Sequence, residues 1–117
     1  MNRGDVYRTR FRFPDRAAPG RFTERNKYVV LLRQMPAEVS IPVLVASTYD
    51  PAHRPRPFEV LVGAAHGFDH DTVIDCRWPY TLPKSWFNTT QYRFTLSPDV
   101  MREVSVALVV GLQMRLR

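Results

Sequence analysis

From Asp5 to Leu96 the apolar residues fall into short blocks cut by proline, glycine and charge, and only beyond Ser97 do they recur at helical spacing. That pattern admits several short strands closed by one helix, and little else. The most informative block is Thr72 to Trp86, TVIDCRWPYTLPKSW. Side chains alternate along a strand, so Thr72, Ile74, Cys76 and Trp78 are expected to face the core, with Val73, Asp75 and Arg77 on the opposite face. Pro79 has no N–H for a sheet ladder, which ends the strand and holds Asp75 and Arg77 near a groove floor.

The other blocks follow the same logic. Asp5 to Phe13, DVYRTRFRF, alternates as a strand whose outer face carries Arg8, Arg10 and Arg12; a solvated edge that resists strand-to-strand aggregation accounts for these three. Pro14 to Asn26 lacks periodicity and is expected as a long loop, from which Arg16, Arg21 and Arg25 would reach phosphates or simply stay solvated. Lys27 to Arg33, KYVVLLR, is a continuous apolar run that predicts a strand buried on both faces. A turn containing Pro36 leads to a strand from Ile41 to Thr48, whose terminal Ser47 and Thr48 either orient a phosphate or satisfy local backbone groups.

Asp50 to Pro57 is a loop kept extended by three prolines, and Phe58 to Val62 is a short strand. Gly63 to Asp71 holds His66 and His70, the natural proton-transfer groups of the chain unless they are merely exposed loop residues. No recognised ligand spacing appears there, so no metal and no other cofactor is expected. Tyr80 to Leu82 reads as a short extended piece, Lys84 to Gln91 as a loop and Tyr92 to Leu96 as a last strand. Ser97 as N-cap, Pro98 at the first position and Asp99 in the first turn then open a helix with Val100, Val104, Ala107, Leu108 and Leu112 on one stripe. Val106, Val109 and Val110 widen the stripe beyond one contact, leaving apolar surface for a second subunit.

The 117 residues suit one domain, 1–117, with a single modest core. Six or seven short strands and one helix make a mainly β fold, a small barrel plugged or flanked by its C-terminal helix. The lone Cys76 excludes an internal disulfide and favours a reducing, cytoplasmic setting. Neither a signal peptide nor a run long enough to cross a membrane is expected. The net charge is +6, and fifteen of the seventeen basic residues are Arg. Guanidinium groups match phosphate oxygens and stack on bases, so this excess suits nucleic acid, although an acidic protein would also be attracted and a GC-rich genome would also favour arginine.

Six blocks in order, RGDVY at Arg3 to Tyr7, KYVVLL, VLVAST, RPFEV at Arg56 to Val60, VIDCRWPYTLPKS and LSPDVMREVSVAL, together make the chain resemble the PemK/MazF toxins of bacterial toxin-antitoxin modules. The resemblance implies an SH3-like barrel of the PemK/MazF/CcdB type that dimerises and acts as a metal-independent endoribonuclease on single-stranded RNA. It also implies an acidic antitoxin lying across the RNA groove. Two departures stand out. Lys27 and Tyr28 occupy the places where family members typically carry Arg and Pro, and the Arg-Cys-Asp order that part of the family carries in the strand from Thr72 is here Asp75-Cys76-Arg77.

Metal-free cleavage by the neighbouring 2′-hydroxyl needs a base, an acid and cations around the phosphorane-like transition state. The expected groups are Arg77 for charge stabilisation and Asp75, His66 or His70 for proton transfer, with Lys27, Ser47, Thr48 and the loop arginines on the phosphates. The exchanged Asp75/Arg77 order also admits a binding module of the same fold that does not cut. A topoisomerase (gyrase) poison is a third reading, with no specific residue in its favour.

Overall fold

The computed structural model describes residues 1–14, 18–33 and 39–116. Strands β1 (Asp5–Pro14) and β2 (Phe22–Leu31) form a long hairpin, in register from Val6 opposite Val30 to Pro14 opposite Phe22. The expected loop from Pro14 to Asn26 is therefore corrected: Phe22 to Asn26 is strand. Cross-strand pairs replace the missing apolar alternation. Glu24 lies 3.4 Å from Arg10 and 3.9 Å from Arg12, and the Arg12 guanidinium sits 4.8 Å over the Phe22 ring. The turn expected around Pro36, and Arg16, lie outside the described residues.

Strand β3 (Ser40–Thr48) pairs with β2 along one edge, and its other edge is divided. Residues Ala46 to Thr48 pair with a strand at Thr72–Asp75, and Ser40 to Val43 pair with one at Tyr80–Pro83. In chain order these are β5 and β6, preceded by β4 (Glu59–Val62) and followed by β7 (Gln91–Thr95). All pairs are antiparallel in the order β4-β5-β3-β2-β1-β7, with β6 branching from β3. The fold is mainly β, as expected, and its two-way pairing at β3 curls the sheet.

The run at Val29, Val30 and Leu31 is fully buried, because the sheet is covered on both sides. On one side Tyr28, Val30, Leu44, Ala46 and Ile74 pack beneath α1 (Pro98–Leu116) through Val100, Met101, Val104 and Ala107. On the other, Tyr7, Val29, Leu31 and Val43 pack against Leu82 and against Phe87 from a 3₁₀ turn at Lys84–Thr89, a segment expected as loop. Each fully buried Val or Leu contributes about 1.5–3 kcal/mol relative to exposure. Ser97 Oγ accepts the Val100 N–H at 3.3 Å, which caps α1 where the sequence placed its start.

Gly111 lets the helix end approach the turn after β5. A Cβ built there would meet the Cys76 carbonyl oxygen at 3.1 Å and the Arg77 Cα at 3.3 Å. Val106 and Val109 stay 65% and 53% exposed, as the width of the stripe predicts. Trp78 is the clear correction to the core: it is 47% exposed. Regular strand ends at Asp75, so the alternation that buries Ile74 and Cys76 does not carry to residue 78.

Candidate functional site

Strand alternation separates the site residues into two groups. Tyr28, Ala46 and Ile74 face α1, so Thr48, two residues from Ala46, shares that face. Lys27, Ser47 and Asp75 alternate onto the opposite face, as does Arg25.

On the first face, the loop after a 3₁₀ turn at Ala64–His66 brings Asp69 and His70 over the end of β3. Thr48 Oγ1 lies 3.1 Å from His70 Nε2, and His70 Nδ1 lies 3.0 Å from Asp69 Oδ1. The Tyr28 hydroxyl donates to the same Asp69 oxygen at 2.8 Å, and Arg8 stands 4.0 Å from the carboxylate with its guanidinium 5.7 Å over the Tyr28 ring. The Tyr28 hydrogen bond, aided by His70 and Arg8, holds the Asp69 carboxyl below the usual carboxylate range. Burial and the same bond push the Tyr28 phenol up. A carboxylate at Nδ1 favours the proton there, which leaves the Nε2 lone pair facing the Thr48 hydroxyl. These groups open on a hollow of about 100 Å³ bordered by Arg8, Asn26, Lys27, Tyr28, Ala46, Thr48, Asp69 and His70.

Lys27 also borders that hollow, while its Nζ lies 3.3 Å from Ser47 Oγ, which alternates onto the opposite face. Burial, with a smaller contribution from Arg25, pushes its ammonium pKa down. Arg25 lies in β2 opposite Phe11 rather than in a loop, and is exposed. Arg21 is exposed just before β2, its N–H bonded to the Ala18 carbonyl at 3.1 Å. His66 is set apart: its Nδ1 accepts the Gly63 N–H at 3.1 Å and closes its own turn.

Asp75 and Arg77 pair with each other. Arg77 Nε and Nη2 lie 3.2 and 3.0 Å from the two carboxylate oxygens, and the Arg77 backbone N–H donates to Asp75 Oδ1 at 2.9 Å. Both side chains are 31% exposed. The guanidinium stacks 4.1 Å over the Phe58 ring, and the bond to Asp75 raises its pKa further. The structure thus brings His70 and Thr48 to one hollow that Lys27 borders, with the Lys27 ammonium held by Ser47, and leaves Asp75 and Arg77 as a closed pair. Sequence reasoning left Arg8 as a solvated edge residue and did not place Tyr28 or Asp69 in this site, because no local motif joins them. Among the described residues no three His, Cys, Asp or Glu side chains cluster as a metal would need, and no helix is long and apolar enough to cross a membrane.

No family model matches the chain, and no curated protein sequence matches it. Solved structures do. An endoribonuclease from a mycobacterial species, in complex with its cognate antitoxin, superposes with a TM-score of 0.69 at 18% identity, covering 97% of this chain and 96% of that one. The MazE–MazF complex of Deinococcus radiodurans gives 0.68 at 17% identity, covering 97% and 96%. The Mycobacterium tuberculosis toxin MazF-mt6 gives 0.62 at 18% identity over 76% of this chain and 88% of that one. The chain therefore has the fold of MazF-type toxins.

Proposed function

We propose that this protein is the toxin of a toxin-antitoxin pair, a metal-independent endoribonuclease that cleaves single-stranded RNA by attack of the 2′-hydroxyl on the adjacent phosphate. The observation that carries the proposal is the hydrogen-bonded run Asp69–His70–Thr48 opening on a hollow flanked by Arg8 and Lys27. The likeness in fold to proteins described as endoribonucleases supports it.

In this mechanism the substrate 2′-hydroxyl takes the place of the Thr48 hydroxyl at His70 Nε2, which removes its proton. Asp69 holds the ring and steadies the imidazolium, and Tyr28 holds Asp69. Arg8 stabilises the charge that develops on the non-bridging oxygens. Lys27, with its lowered pKa, gives a proton to the leaving 5′-oxygen once its ammonium swings from Ser47 to the edge of the hollow that it borders. The products are a 2′,3′-cyclic phosphate and a 5′-hydroxyl. Arg21 and Arg25, exposed on the hairpin, guide the strand inward. Asp75 and Arg77 act as a positioning pair that fixes the end of β5, and His66 shapes the loop that carries His70.

The partners in this reading are RNA, an acidic antitoxin and a second copy of the chain, in the cytoplasm. The apolar groove of about 540 Å³ between β4 and α1, with Leu61 and Val106 on its walls, offers surface for the second copy. Incubation with long RNA in EDTA tests the activity, and His70→Ala is expected to slow cleavage by about 10²–10⁴-fold. RNA that is bound but never cut would favour the non-cutting module instead.

A further inference from the structure

A second hollow, of about 220 Å³, shares Thr48 with the His70 site. It is lined further along by His53, Arg54 and Arg56, with Asp50 and Glu59 also on its wall and His53 Nε2 3.6 Å from Asp50 Oδ2. The loop that builds it is fixed at both ends. Asp50 accepts the Ala52 N–H at 2.9 Å and the His53 N–H at 3.1 Å, and the Tyr49 hydroxyl donates to the His53 carbonyl at 2.9 Å. Beyond the prolines, Glu59 accepts the Arg56 N–H at 2.9 Å, and the Arg56 carbonyl accepts the Glu59 N–H at 2.8 Å. Pro51, Pro55 and Pro57 restrict what remains.

The pairing of Arg54 and Arg56 differs from that of the arginines on β1 and α1. Arg8, Arg10, Arg12, Arg77 and Arg102 each lie beside a carboxylate. Arg54 and Arg56 have no ion pair among the described residues, and both are exposed; Arg56 only leans over the Phe58 ring at 5.9 Å. Two guanidinium groups without carboxylate partners, on a loop already ordered, make a phosphate grip that costs little entropy to use.

We infer that Arg54 and Arg56, with His53 beside them, bind RNA backbone phosphates next to the bond held at Thr48 and His70, as a second subsite of the same path. This rests on the nuclease reading for the identity of the ligand, while the grip itself requires no cleavage. The Thr48 junction favours a chain that runs through both hollows over an acidic peptide held in the second alone.

The test is equilibrium binding of a 2′-O-methyl hexanucleotide, which lacks the attacking hydroxyl, measured by fluorescence anisotropy across a salt series. Loss of two phosphate contacts in the Arg54→Gln/Arg56→Gln variant is expected to lower the slope of log affinity against log salt by about 1.4, at about 0.7 per contact on a single strand. The hexanucleotide should also lose its affinity advantage over a dinucleotide. Lysine at both positions, keeping the charge, should restore most of the slope, and Arg102→Gln on the helix should leave it as in the wild type. An unchanged slope in the double glutamine variant would overturn the inference. So would a polyglutamate peptide that depends on Arg54 and Arg56 while the oligonucleotide does not. Failure of the nuclease reading would show separately, as unmodified RNA left intact by a protein whose binding still depends on both arginines.

Discussion

Replacing Gly111 by alanine sets two opposed effects against each other at the contact between α1 and the turn after β5. In an open helix the change would stabilise by about 1 kcal/mol, because glycine loses the most backbone freedom on folding. Here the new Cβ would lie 3.1 Å from the Cys76 carbonyl oxygen, 3.3 Å from the Arg77 Cα and 3.3 Å from the Phe58 Cβ. Each of these distances is a few tenths of an ångström too short, and the atoms are not free ends. The Cys76 N–H is bonded to the Phe58 carbonyl at 2.9 Å, and the Arg77 N–H to Asp75 at 2.9 Å. Helix and turn must therefore separate, an overpacking cost of about 1–3 kcal/mol. Near the middle of that range, Gly111→Ala is expected to destabilise by about 1 kcal/mol net, lowering Tm by about 4 °C. Urea unfolding should show a lower midpoint with an unchanged slope. Val109→Ala, on the exposed side of the same helix, supplies the control and should be neutral or slightly stabilising. A Gly111→Ala protein about 1 kcal/mol more stable than wild type would refute the reasoning, because propensity alone would then account for the position.

Cys76 is fully buried, and burial, with Asp75 and Glu59 nearby, pushes its thiol up to about 12. The contribution of the neutral thiol to stability is complete below the ordinary thiol range and is lost as pH rises toward that value, so Cys76→Ser should flatten the alkaline limb of a stability profile. Native protein should resist iodoacetamide at neutral pH and react fully in urea, as mass spectrometry would show. Asp69 has the opposite sign: with its carboxyl held below the ordinary range, its contribution is present above that range and lost as pH falls through the lowered value. Tyr28→Phe, which removes the hydrogen bond responsible, should weaken the acid dependence of unfolding; an identical acid limb in the two proteins would count against the Tyr28–Asp69 contact.

What could be read from the chain alone was whatever depends on period and punctuation. The run at Val29 to Leu31, the turn of direction after Ser97 and the inward side chains of Ile74 and Cys76 follow from local rules that the structure obeys. Phe22 to Asn26 did not show itself as strand because its partners, Arg10 and Arg12, lie across a hairpin whose register no single sequence displays. Trp78 was misplaced by carrying an alternation past the last strand residue. At the site, His70, Thr48 and Lys27 were legible as chemistry-bearing residue types. Their assembly with Tyr28, Asp69 and Arg8 was not, since Tyr28 and Asp69 are brought together across 41 positions of chain. The Asp75–Arg77 contact was foreseeable from spacing, whereas its closure into a bidentate pair stacked on Phe58 required the fold.

The divided outer edge of β3 makes that strand unusually intolerant of insertion. A single added residue between Val43 and Ala46 would keep the β6 ladder or the β5 ladder, never both. It would also exchange the directions of Ser47 and Thr48, turning the His70 partner away from the hollow and breaking the junction with the Arg54 loop. In the proposed nuclease, sequence change that alters which RNA is accepted would therefore accumulate in the loops after β3 and β4, around a strand whose length is held constant.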